Sequence, residues 1–154
     1  VDLSTYELLL WGHLTFVAAW VGGDIMLQVL SLRALAASGD RQVAFTADVE
    51  WVGLRLLTPA AVLVLLFGLA LVSDGDWDMG QFWLIAGIAV FLASAITGAG
   101  FLGPEAGRIS KLAEEQGSDS PEVTRRIKRV LFISRIELVL LVLLILDMIA
   151  KPGL

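Results

Sequence analysis

Cysteine is absent from the 154 residues, histidine occurs once and proline only four times. Without cysteine there is no disulfide, no thiolate metal site and no thiol nucleophile. A single histidine with no cysteine is not expected to build a metal site. No glycine-rich nucleotide loop, serine triad or zinc-protease motif occurs. Strand-type alternation is missing as well, which argues against a β-rich fold.

What is present is apolar: 57% of the residues are hydrophobic, and the mean hydropathy is +0.81. A soluble domain rarely reaches this. The expected class is an all-α, polytopic membrane protein with one transmembrane domain over residues 1–154. The first apolar stretch is longer than that of a cleaved signal peptide. It follows an acidic start, VDLSTYE, so no such peptide is expected.

Four spans are predicted, at 8–32, 51–72, 82–102 and 131–150. Ser4 with Glu7 three residues on forms a capping box at the start of the first helix. That helix is expected to reach Ala37 and stop at Gly39 in the left-handed region. The second starts near Asp40, and Pro59 inside it should kink it or free the carbonyl of Arg55. The third is broken at Gly103-Pro104 and continues amphipathically to Gly117. Ser120-Pro121 is a helix start signal for the fourth.

Orientation follows from Lys and Arg. The connection at 103–130 carries Arg108, Lys111, Arg125, Arg126, Lys128 and Arg129, and the first connection carries Arg33 and Arg41. The turn at 73–80 has none. The expectation is an up-down transmembrane four-helix bundle, N-out and C-out, with cytoplasmic helical hairpin extensions, in a bacterial inner membrane. The lipid bilayer is the expected partner. The small-residue pair Ser94 and Gly98 favours a homodimer or a larger membrane complex. Nucleic acid is not expected, because the basic run at 125–129 adjoins a span and suits anionic headgroups. Trp11, Trp51, Trp77 and Trp83 fall near span ends, as interfacial tryptophans do.

The first helix carries the candidate chemistry. Asp24 lies eleven residues after His13, about 20° away on a helical wheel. Tyr6, Trp20, Gln28 and Ser31 fall on or close to the same line. Such a stripe should face protein, water or a cofactor rather than lipid. At a similar depth in the inner leaflet lie Arg55 on the second helix and Arg135 and Glu137 on the fourth, with Glu50 at the rim. A lone charge at the bilayer centre costs at least about 2.5–3.5 kcal/mol. Pairs are therefore expected: Asp24 with Arg55, and Glu137 with Arg55 or with Arg135 of a neighbouring molecule. The cluster reads either as a proton or anion site or as an ion-pair lock between helices. His13, toward the other surface, reads either as an axial ligand to haem iron with Trp20 packed on the ring, or as a hydrogen-bonded interfacial histidine. Asp147, at a similar depth, is its expected hydrogen-bond partner. Asp74, Asp76 and Asp78 resemble the start of a calcium loop, but Gly80 is one place late and Ile85 replaces the closing glutamate.

His13, Trp20 and Gly22-Gly23 resemble the first helix of a bacterial family of four-helix integral membrane proteins of unknown function. That family resembles the HemJ-type protoporphyrinogen oxidases and, more distantly, CopD-type copper-resistance membrane domains. Glu50, Arg55 and Thr58-Pro59 resemble the second helix of the HemJ type, and Arg135 and Glu137 with Lys151-Pro152 its last. The resemblance implies haem b held through His13 and a membrane oxidoreductase activity.

Overall fold

The computed structural model describes residues 2–75 and 77–152. All regular structure among them is helical. Four long helices follow one another: α1 (Thr5–Leu35), α2 (Gly39–Asp74), α3 (Phe82–Gln116) and α4 (Pro121–Ala150). The first three are long and apolar enough to cross a membrane. The apolar part of α4 also carries Arg135, Glu137 and Asp147.

The helix ends follow local chemistry. Ser4 Oγ accepts from the Glu7 amide at 3.2 Å, and the Glu7 carboxylate accepts from the Ser4 amide at 2.8 Å, completing the capping box. Ser120 caps α4 through the Val123 amide, with Pro121 in the first turn. Gly117 ends α3 at φ 88°, a value that suits glycine. Gly39 does not stop α1. It is the first residue of α2, and Ala36 caps α1 in the right-handed region.

Neither α2 nor α3 breaks at its proline. Each passes through one π-helical segment, Gly53–Leu57 in α2 and Gly98–Leu102 in α3. Pro59 and Pro104 donate no hydrogen bond, so the carbonyls four residues back are left over. The helix re-registers by one residue instead: the Thr58 amide donates to Gly53 O and the Gly103 amide to Gly98 O. Thr58 Oγ1 adds a second bond to Gly53 O at 2.9 Å. Fourteen residues separate each segment from the same end of the molecule, Gly39–Val52 in α2 and Gly103–Gln116 in α3. The two π turns therefore stand at one level, where the apolar spans give way to the hairpin ends.

Below that level Gly39–Val52 packs on Gly103–Gln116, and both meet α4. The core of this extension is Ile109, Ala113, Val123, Ile127, Val130 and Leu131, flanked by Leu35, Val43 and Phe45. Its tips are tied together where the Gly39 amide donates to Asp119 Oδ1 at 3.0 Å. A Cβ on Gly39 would lie 2.6 Å from the Ser118 carbonyl oxygen, and backbone there has little room to yield. Gly39→Ala should therefore destabilise the protein by about 1–3 kcal/mol, read as a lower midpoint in detergent-solubilised thermal unfolding.

Above the π turns α1 packs along α2 and on α4, and α4 packs on α3. The α1–α2 approach is close at Gly12, where a Cβ would come within 2.5 Å of the Phe67 ring, and at Gly23, over Leu57. Trp20, Val21, Ala60, Val64 and Leu141 form the core here. At the far end Val72, Trp83 and Leu84 join α2 to α3. Trp83 is thus buried rather than interfacial, edge-on to Trp77, with the Lys151 ammonium 3.9 Å from the Trp77 ring centre. Trp11 and Trp51 are exposed.

Candidate functional site

The stripe on α1 does turn inward, but its members meet different helices. His13 Nδ1 lies 3.0 Å from the carbonyl oxygen of Val64 on α2. A carbonyl only accepts, so Nδ1 carries the proton and Nε2 keeps its lone pair. The partner is this backbone group, not Asp147. A Cβ on Gly68 would sit 3.2 Å from His13 Cε1, so the glycine makes room for the ring. Asp147 is elsewhere engaged through its backbone, and its Oδ2 is buried without a hydrogen-bond partner. Trp20 is buried edge-on against Phe91 of α3 at 5.6 Å. It is part of the core with Val21, Ala60, Val64 and Leu141.

Toward the extension, α1 presents Asp24 and Gln28 to α4. Gln28 Nε2 donates to Ser134 Oγ at 2.5 Å, and Gln28 Oε1 is buried without a partner. Ser31 is fully buried and donates to Gln28 O within its own helix. Glu137, one turn along from Ser134, accepts from Ser94 Oγ of α3 at 2.6 Å. Gly98, one turn after Ser94, also faces Glu137. The small-residue pair is therefore turned to α4 of the same chain. Asp24 is partly buried and accepts no hydrogen bond among the described residues; it stands one turn before Gln28 as Glu137 stands one turn after Ser134, so the Gln28–Ser134 bond sets the two carboxyls in one stretch of the α1–α4 interface.

Within the chain, neither Asp24 nor Glu137 pairs with Arg55 among the described residues. Arg55 is exposed on α2 with its guanidinium 5.2 Å from the centre of the Trp51 ring. Arg135 is exposed on α4. Glu50 is half-buried on α2 and takes part in no ion pair among the described residues. The reason is rotational. Arg55 falls inside the π segment, which turns it away from α1, and Arg135 stands two residues from Glu137 on the opposite side of α4. The cluster contracts to two carboxyls, Asp24 and Glu137, with Gln28, Ser94 and Ser134 around them and no arginine.

The ion pairs among the described residues lie in the extension. Glu105, only 3% exposed, holds Arg126 at 2.5 Å and Arg108 at 3.2 Å. Arg126 also reaches Glu122 at 3.1 Å, and Arg125 reaches Glu122 at 2.6 Å. The sequence marks 105–116 as amphipathic without singling out Glu105. Its spacing from Ile109 and Ala113, four and eight residues on, places it on the buried side and was the available signal. The hydrogen bond to Glu105 raises the pKa of Arg126, and the hydrogen bond from Arg125 holds Glu122 below the ordinary carboxylate value of 4.5. A lowered carboxylate contributes stability above its unfolded value and loses it as pH falls through the folded one. The acid limb of a thermal-stability profile, below pH 4.5, should therefore flatten in Glu122→Gln.

Residues 7–152 match the family model DUF2269, described as a predicted integral membrane protein. The chain belongs to the DUF2269 family. No curated protein and no solved structure matches it. Membership agrees with three helices able to cross a membrane, and it covers every residue of the carboxyl site and His13. Of the aspartates in the α2–α3 turn, Asp76 lies outside the described residues. Asp78 Oδ1 accepts from the Gly80 amide at 2.8 Å, the job of a turn residue.

Proposed function

We propose that this DUF2269 protein is an up-down four-helix bundle of the bacterial inner membrane, N-out and C-out, in which Asp24 and Glu137 form a proton-binding carboxyl pair. The observation that carries this reading is the Gln28–Ser134 bond between α1 and α4, which sets Asp24, one turn before Gln28, and Glu137, one turn after Ser134, in the same interface, with neither acid in an ion pair among the described residues. Two carboxylates so placed repel each other and lack water to screen them, and one bound proton relieves both costs. Ser94 supplies a hydroxyl to Glu137, fixing which carboxyl oxygen remains for the proton. A group that gains and loses a proton between three helices is suited to a proton-coupled transporter or a coupling subunit of a larger membrane complex. The excess of Lys and Arg in the two hairpin ends supports the orientation.

The test is infrared spectroscopy of protein reconstituted in lipid. Acidification should produce a carboxylic C=O band that is absent from both Asp24→Asn and Glu137→Gln. A band unchanged in both variants would sink the proposal.

A second reading rests on His13. Its Nδ1–H···O=C bond to Val64 leaves Nε2 as the free nitrogen, the arrangement that orients a histidine toward a metal. His13 is the residue that would hold haem b. Haem would supply redox chemistry. An absorption spectrum of the purified protein with added haem checks it: a Soret band lost in His13→Ala supports the ligand, and no band at all removes it.

A further inference from the structure

A groove of about 330 Å³ opens beside α4, lined by Glu122, Arg125, Arg126 and Arg129. Of Arg108, Arg125, Arg126 and Arg129, the first three share two carboxylates, Glu105 and Glu122, in the ion pairs among the described residues, Arg125 being held by Glu122 at 2.6 Å. Arg126 is committed to both acids. Arg129 has no carboxylate partner among the described residues. Its guanidinium lies 5.3 Å from the centre of the Phe101 ring, on the π segment of α3. The groove is thus at the level where the spans begin, with Leu131 next along α4.

The same face of α4 continues as exposed hydrocarbon. After Arg125 and Arg129 come Phe132, Ile136, Val139 and Leu143, at alternating spacings of three and four, all exposed. From Arg129 to Leu143 is about 21 Å at 1.5 Å per residue. One leaflet's hydrocarbon is about 15 Å thick, half of the bilayer core. A cationic groove above an apolar stripe of at least leaflet length matches a whole lipid: phosphate at the top, acyl chain below. A second copy packed along this stripe by a twofold axis would set Arg125 and Arg129 against their own equivalents. An anionic lipid neutralises them instead.

We propose that Arg125, held by Glu122, and Arg129, backed by Phe101, form a binding site for the phosphate headgroup of an anionic phospholipid whose chain lies along Phe132, Ile136 and Leu143. The proposal is independent of the carboxyl pair.

Native mass spectrometry of the detergent-solubilised protein tests it. Dioleoyl phosphatidylglycerol should bind roughly 10–30-fold more tightly than dioleoyl phosphatidylcholine, the gain expected of two arginines near a headgroup. The preference should vanish in Arg125→Gln/Arg129→Gln and persist in Arg129→Lys, with circular dichroism confirming that each variant is folded. Equal binding of the two lipids, or a preference surviving in the double glutamine variant, overturns the site. Free glycerol phosphate should give no stabilisation. If it stabilises as well as the lipid does, the ligand is a soluble phosphate and the lipid assignment fails. Complete disulfide cross-linking of Ile136→Cys in the presence of excess phosphatidylglycerol would assign the stripe to a second copy and likewise overturn it.

Discussion

Ile109→Ala should cost about 2–5 kcal/mol and loosen the extension ahead of the spans. Ile109 is fully buried, at 0% exposure, among Ala113, Val123, Ile127 and Val130. Removing three carbons there leaves a cavity whose walls come from separate helices, so it closes poorly. The location enlarges the effect. Between helices in lipid the surroundings are already apolar, and a truncation loses chiefly packing contacts. The extension lies outside the apolar spans, so its core is held by transfer from water as well. Leu141→Ala, a truncation at a site equally buried at 2% exposure but within the span, should accordingly cost less. Hydrogen exchange separates the two: amides of 103–130 should exchange faster in Ile109→Ala, while those of 131–150 keep their protection. Uniform loss of protection along α4 would mean that extension and spans unfold as one unit.

The fold was largely legible because its signals are local. Ser4 with Glu7 and Ser120 with Pro121 fix helix starts by hydrogen-bond chemistry confined to one turn. Long apolar runs announce three of the membrane-capable helices. The site was legible in its residues and not in its pairs. A helical wheel orders the side chains of one helix but says nothing of what stands opposite. Asp24 was expected to meet Arg55 because opposite charges attract, yet the π turn at Gly53–Leu57 shifts every later residue of α2 by one place and rotates Arg55 outward. The partner of His13 was sought among side chains, and Asp147 was the natural choice. The acceptor is the Val64 carbonyl, a group every residue carries and no sequence pattern marks. Glu105 carries no motif that sets it apart from its charged neighbours, and only its helical spacing aligns it with the buried side.

Asp24→Asn should leave the protein folded, within about 0.5 kcal/mol of the parent, while abolishing proton-coupled function. The reasoning starts from what Asp24 lacks. It makes no ion pair and accepts no hydrogen bond among the described residues, so an amide of the same shape breaks no contact. Glu137, in the same α1–α4 interface, is of like charge, and an uncharged group in place of Asp24 removes repulsion between them. Glu137→Ala is different, because it strands the Ser94 hydroxyl in a partly buried interface at about 1–3 kcal/mol. A structural lock predicts the reverse for Asp24: a buried pair broken on one side loses about 3–5 kcal/mol. The two readings therefore part on a single thermal-unfolding comparison in detergent, made beside a proton-uptake assay in vesicles. Intact folding with lost uptake identifies a carboxyl kept for its proton. A collapse of stability in Asp24→Asn would show that an opposite charge from elsewhere holds it, and the proton-binding pair would be refuted.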